Sequence, residues 1–261
     1  MKRKKQLLAV LLSSILAIHT GFCPAAAKPK DYSKYSTTKH GWGLSKNSVH
    51  KVPGNGDSET LKKHGACYYV PTKKKTIYLT FDCGYENGNT KTILNTLKKY
   101  NIKAMFFVTK PYIAERPKLV KRMKKEGHLV GNHTVSHPSL PTCSVEKMKS
   151  EILDCAAYMK KATGYEMDKF IRPPMGEWSI QSLEVTKDLG YQTVLWSMAF
   201  YDYDVNNQPG KDAIVSQFMQ NYHKGAIPLL HGISTSDTEA LPTIIKRLVK
   251  KGYGFGQLTD L

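Results

Sequence analysis

The stretch "TIYLTFDCG", residues 76–84, runs an apolar strand pattern straight into a carboxylate, a thiol and a glycine. β-branched and aromatic residues dominate up to Phe81, as a buried pleated segment requires, and polar chemistry arrives only at its end. The same pattern recurs along the chain in "AMFFV", "HLVGN", "FIR", "QTVLWS", "AIPLL" and "YGFGQL". Helical stretches are predicted between these runs, near 89–100, 112–126, 144–162, 179–189, 211–223 and 236–251. Strands alternating with helices argue for an α/β class with a parallel sheet, and near-continuous apolar runs say that both sheet faces are buried. The expected architecture is a distorted, open or nearly closed (β/α) barrel of about seven parallel strands. An open doubly wound sheet is the competing arrangement, but no GxGxxG follows the first strand.

The residues before 73 read differently. "MKRKK" is a basic leader, "LLAVLLSSILAI" an apolar core and "AAA" at 25–27 a small-residue cleavage site, so residues 1–27 read as a signal peptide. Its apolar run is twelve residues, from Leu7 to Ile18, short of the roughly 20 a membrane-spanning helix needs. Export without stable membrane insertion after cleavage is therefore expected. Residues 28–72, rich in Lys, Ser, Thr, Gly and Pro, read as an irregular extension wrapping the domain, and 73–261 as the main domain. Cleavage removes Lys2, Arg3, Lys4 and Lys5 and no acidic residue, so the formal charge falls from +18 to +14. Outside the membrane such a charge suits an anionic polymer such as a cell wall. A nucleic-acid binder is disfavoured, because the Lys runs at 73–75 and 121–125 have no interleaved aromatics and no recognition motif is present. Cys67, Cys83, Cys143 and Cys155 allow one or two disulfides but form no CxxC pair, which argues against a structural zinc finger.

Function enters with the residues that follow the strand candidates. Asp82 follows the first, His133 and His137 the third, Arg172 the fourth, Asp202 the fifth and His231 the sixth. In a parallel barrel those ends converge on one face, where active sites are built. Singly, each has a plainer explanation: Arg172 as a surface ion pair, His231 as a core histidine, Asp202 as a loop cap beside the equally polar Asp204. Together they are hard to assign to capping. "HTVSH" places two imidazoles four residues apart, roughly 5–6 Å between Cβ atoms on one helical turn. Pro138 disfavours the α conformation at His137, so a single turn is expected.

The ordered series "TFDCG", "HTVSH", "RPPMG", the segment around Asp202 and "LLH" resembles the polysaccharide deacetylase family of carbohydrate esterases over residues 76–261. "YENG", "WSMAFYD" and "LLHGIS" further resemble the branch of spore-forming bacteria that makes muramic δ-lactam in cortex peptidoglycan. The resemblance implies metal-assisted hydrolysis of an N-acetyl group on a glycan. Asp82 would be the general base and Arg172 would hold its carboxylate. His133 and His137 would ligate a divalent ion. His231 would protonate the leaving amine with Asp202 orienting its ring, and the backbone N–H of Met175 would help bind the oxyanion. The implied substrate is peptidoglycan at the cell wall or spore cortex, and the implied reaction deacetylation of N-acetylmuramic acid leading to muramic δ-lactam. Alternatives are an N-acetylglucosamine deacetylase on peptidoglycan or chitin-like glycans, and a catalytically impaired wall-binding module.

Two positions depart from the family pattern. Met175 stands where an aromatic is usual, which alters the sugar-binding wall. Cys83 stands where a second Asp, the third metal ligand, is usual. Three accounts of Cys83 are open: a thiolate completing a two-His, one-Cys site, for which soft sulfur favours zinc; a protonated thiol off the metal; or a disulfide, with Cys67 the nearest partner in sequence.

Overall fold

The structure, a computed structural model, describes residues 30–45 and 50–260. The signal-peptide reading of 1–27 lies outside them. Eight strands form one sheet: β1 (Ala66–Cys67), β2 (Thr80–Cys83), β3 (Met105–Val108), β4 (Leu129–Asn132), β5 (Phe170–Ile171), β6 (Gln192–Val194), β7 (Met198–Ala199) and β8 (Pro228–His231). The helices are α1 (Ser58–Lys63), α2 (Thr90–Lys99), α3 (Lys110–Glu115), α4 (Pro117–Lys125), α5 (Val145–Thr163), α6 (Ile180–Asp188), α7 (Lys211–Asn221) and α8 (Thr235–Lys250). The strand order is β7-β8-β2-β3-β4-β5-β6-β1, and every pairing is parallel. β6 and β7 are nearly continuous in sequence, yet β7 stands first and β6 next to last in that order. The sheet must therefore curl round on itself, and the result is an open half-barrel wrapped by helices.

Alternation along the strands sorts the side chains into two layers. Ile77, Leu79, Phe81 and Cys83 pack into the main core with Ile93, Leu97, Leu241 and Ile245 of α2 and α8. Tyr78, Met105 and Phe107 face the other way, into a separate cluster with Val194 and Ile227. Asp82, between Phe81 and Cys83, shares this inner face.

The observed elements depart from the expected ones where a long-range pairing or a proline decides. The predicted helix over 112–126 is two helices, because Pro117 cannot continue α3 and instead opens α4. "YGFGQL" does not join the sheet: Gly254–Phe255 pairs with Thr76–Ile77 alone. The place is filled by β1, from the stretch expected to be irregular, which also contains α1. A two-residue strand has no periodicity to read. Farther upstream, His40–Gly41 pairs antiparallel with Glu177–Trp178, and the Trp42 indole N–H donates to the Trp196 carbonyl at 2.9 Å.

Candidate active site

β2 delivers Asp82 to a cavity of about 1210 Å³, which His133, His137, Met175 and His231 also line. Beneath it, Arg172 is fully buried after β5. Its Nη1 donates to Asp82 Oδ1 at 2.7 Å, while Nε and Nη2 donate to the carbonyls of Val194 and Leu195 at 3.1 and 3.2 Å. Its guanidinium lies over the Phe107 ring, 4.4 Å from the centroid. Three fixed donors leave Arg172 one orientation, which locks one oxygen of Asp82 and leaves Oδ2 toward the histidines.

His133 is held from behind. Its Nδ1 lies 2.9 Å from the Arg172 carbonyl, which can only accept, so Nδ1 bears the hydrogen and Nε2 is bare. That Nε2 stands 3.6 Å from Asp82 Oδ2. Burial, against the pull of Asp82, lowers the His133 pKa to about 4. Burial likewise lowers that of His137, again opposed by Asp82. The two rings meet edge to face with centroids 4.7 Å apart. The expected helical turn is absent: Thr134 and His137 adopt φ of 70° and 56° in an irregular loop. Left-handed conformations at non-glycine residues cost energy and persist where surroundings enforce them.

Glu151 is one of those surroundings, and sequence reading missed it. This buried carboxylate on α5 accepts from the N–H groups of Val135 and Ser136 at 2.9 and 2.8 Å and from the Ser136 hydroxyl at 2.7 Å. Burial raises its pKa, but Lys147 and Ser136 outweigh that and hold the carboxyl below its usual range. The signal was an acid among Met148, Ile152, Cys155 and Met159, on the apolar stripe of a helix.

His231, at the end of β8, is oriented by Asp202: Nδ1 to Oδ1 is 2.8 Å, and the His231 backbone N–H donates to Oδ2 at 2.8 Å. Asp202 is fully buried, whereas His231 reaches the cavity. Burial lowers the His231 pKa, but the hydrogen bond and charge of Asp202 overcome it and leave it raised. Gln208 ties this loop down, donating to the Asp202 carbonyl at 2.8 Å while its Oε1 accepts from the Ser234 hydroxyl at 2.9 Å.

Met175 stands at φ 58° between Pro174 and Gly176, half exposed on the cavity wall. Gly176 is required there: its φ is +65°, and a Cβ would lie 2.5 Å from the Trp196 ring. Tyr85, Tyr201 and Tyr203 are exposed around the same cavity.

Cys83 is the residue the structure does not bring to the group. It faces outward with Phe81, fully buried in the main core. Burial, with Asp82 and Glu86 adding, raises its thiol well above the usual range. It is a free thiol, as is Cys67, so the two form no disulfide. Zinc ligation by Cys83 is thereby corrected. Period-two alternation sends consecutive residues to opposite faces, and Asp82 has the inner one. His133, its Nδ1–H fixed to a carbonyl, is oriented as a metal-ligating imidazole is. Among the described residues, however, no three His, Cys, Asp or Glu side chains are placed to hold an ion. The side chains present offer two imidazoles and do not complete a three-ligand site of the expected kind.

Comparison with known proteins shows the family of the chain. Residues 69–194 match the polysaccharide deacetylase family model. The peptidoglycan-N-acetylmuramic acid deacetylase PdaA of Bacillus subtilis is 42% identical over 222 residues, 84% of each chain. The structure of Bacillus subtilis PdaA, described as a family 4 carbohydrate esterase, superposes with a TM-score of 0.84 at 41% identity, covering 87% of this chain and 97% of that one. A family 4 carbohydrate esterase from Bacillus anthracis gives 0.73 at 42% identity, covering 87% and 97%. On its sequence, its curled sheet and this extent of similarity, the chain belongs to the polysaccharide deacetylase family.

Proposed function

We propose that this protein is an exported peptidoglycan N-deacetylase that removes the acetyl group from N-acetylmuramic acid. The observation behind the reading is the pairing of a buried Arg172–Asp82 couple with an Asp202–His231 couple on one cavity. The similarity to an N-acetylmuramic acid deacetylase supports the choice of sugar, and the basic, apolar leader supports export.

Asp82 Oδ2, left uncommitted by Arg172, takes a proton from water as the oxygen attacks the acetyl carbonyl. Negative charge develops on the carbonyl oxygen, where the Met175 N–H is the donor we assign to it. The His231 imidazolium then passes its proton from Nε2 to the departing nitrogen, the C–N bond breaks, and acetate and a free amine result. Asp202 keeps the ring aligned through Nδ1. A divalent ion, if bound by His133 and His137, would polarise the carbonyl, but Cys83 does not supply its third ligand and no step above depends on it. The freed amine can condense with the lactyl carboxyl of the same sugar, losing water to give the muramic δ-lactam of spore cortex.

The test is to incubate the protein with intact and peptide-stripped glycan strands and to analyse fragments by mass. Loss of acetyl from muramic residues is expected, abolished in His231→Ala, whose turnover should fall by roughly 10²- to 10⁴-fold. Acetyl loss confined to glucosamine residues would transfer the reading to N-acetylglucosamine.

A further inference from the structure

Behind the Asp202–His231 couple stands a second acid that neither the sequence motifs nor the mechanism uses. Asp237 lies in the first turn of α8 and is 2% exposed. Its backbone N–H donates to the Ser234 hydroxyl at 3.0 Å, an ordinary cap. Its side chain does not turn back to complete a capping box, since the Ser234 N–H is already bonded to the His231 carbonyl at 3.0 Å. It points inward instead, where the His231 N–H reaches both Asp202 Oδ2 at 2.8 Å and Asp237 Oδ2 at 3.3 Å. Two buried carboxyl groups thus share one donor.

We propose that Asp237 is a positioning residue, clamping the Asp202 carboxylate against His231 through a hydrogen bond between the two acid side chains. The inference rests on the reading of His231 as the proton donor.

Charge counting supports the clamp. The cation in contact with the pair is His231, and two ionised carboxylates would leave a net negative charge in the protein interior. The pair therefore holds one proton. Both Asp202 oxygens are committed to His231, through Nδ1 and the backbone N–H, so the proton belongs on Asp237. Consistently, Asp237 Oδ1 is buried and faces no protein donor among the described residues, which is costly for a carboxylate oxygen and not for an acid that brings its own hydrogen. The two acids are driven apart: burial and Asp202 raise Asp237 well above the usual range, while for Asp202 burial is outweighed by Asp237 and His231, which lower it. A like-charge pair sharing one proton behaves in this way. The other groups acting on Asp237 are the Ser234 hydroxyl and the His231 N–H, and Asp82 and Arg172 act on His231. The neutral acid draws part of the Asp202 charge onto itself, which keeps His231 acidic enough to release its proton.

The experiment follows the His231 ring titration by NMR, without substrate, in the parent, Asp237→Asn and Asp237→Ala, beside kcat and KM on the glycan. In Asp237→Ala the titration should move up by about one pH unit and kcat should fall roughly tenfold with KM little changed. Asp237→Asn keeps a donor toward Asp202 without a titrating proton, so His231 should titrate as in the parent and kcat should be largely rescued. A His231 titration in folded Asp237→Ala that superimposes on the parent's overturns the clamp. So does an Asn variant shifted as far as the Ala variant is expected to be, a comparison that stands even if Asp237→Ala does not fold. Because the titration needs no substrate, inactivity on every glycan would refute the proposed function and leave the clamp judged separately.

Discussion

Arg172 Nη1 lies 2.7 Å from Asp82 Oδ1, with the arginine wholly buried and the aspartate nearly so. Arg172 has no water to fall back on, and Asp82 meets solvent only at the cavity, so removing either partner costs the other its main compensation. Arg172→Ala should lower stability by roughly 3–5 kcal/mol, the usual cost of breaking a buried pair. Asp82→Asn keeps shape and one hydrogen-bond acceptor but leaves the guanidinium uncompensated. It should cost stability in the same direction while turnover falls roughly 10²- to 10⁴-fold. Denaturant melts and turnover on glycan fragments check both, and an Asp82→Asn protein as stable as the parent would show that solvent reaches Arg172.

The place of Cys83 can be tested without assay of activity. A Cβ added at Gly232 would lie 2.8 Å from Cys83 Sγ, too close to be accommodated in place. Gly232→Ala should therefore destabilise, and Cys83→Ala, which removes the sulfur, should relieve much of that loss in the double variant. Cys83→Ala alone should leave bound zinc unchanged, as a thiol turned into the core predicts. Additive losses, or zinc lost with the sulfur, would return Cys83 to the inner face.

Glu151 holds the loop that presents His137. Glu151→Gln replaces one accepting oxygen by a donor facing other donors. A stability loss of about 1–3 kcal/mol is expected, together with a fall in turnover as the left-handed turns at Thr134 and His137 relax. Thermal unfolding and kcat measured on the same preparation check this. Loss of activity with unchanged melting would point to a direct chemical role instead.

His128 makes the fold acid-sensitive. It is 3% exposed, and its Nδ1 accepts from the Ala104 N–H at 3.1 Å, a bond that protonation breaks. Burial, with Lys103 adding, lowers its pKa from an ordinary 6.5 to about 4. As pH falls the unfolded chain takes up the proton first. The stabilisation is thus full above about 6.5 and lost between there and about 4, on the order of 3 kcal/mol. His128→Gln, which offers an acceptor that does not titrate, should flatten that part of the stability curve, and an equally steep curve in the variant would refute the assignment.

The features legible in the residues alone follow local rules. Apolar runs and helical periods located six of the eight sheet strands and the helices after residue 88, with α3 and α4 read as one, because burial on both faces writes itself into consecutive residues. The strand-end rule then gathered Asp82, His133, His137, Arg172, Asp202 and His231, and the structure does bring them to one site. The remaining features depend on contacts between residues distant in the chain. β1 and β7, two residues each, were not read from the sequence, and what defines them is their parallel pairing with β6 and β8. Cys83 was read as a ligand by motif position, yet the pleat turns it away from Asp82. Glu151 and Asp237 each sit where a helix pattern gives a plainer explanation, a stripe position and a first-turn acid. Their roles arise from contacts with Ser136 and Asp202, residues 15 and 35 positions away, and no local pattern encodes which distant backbone a buried carboxyl will meet.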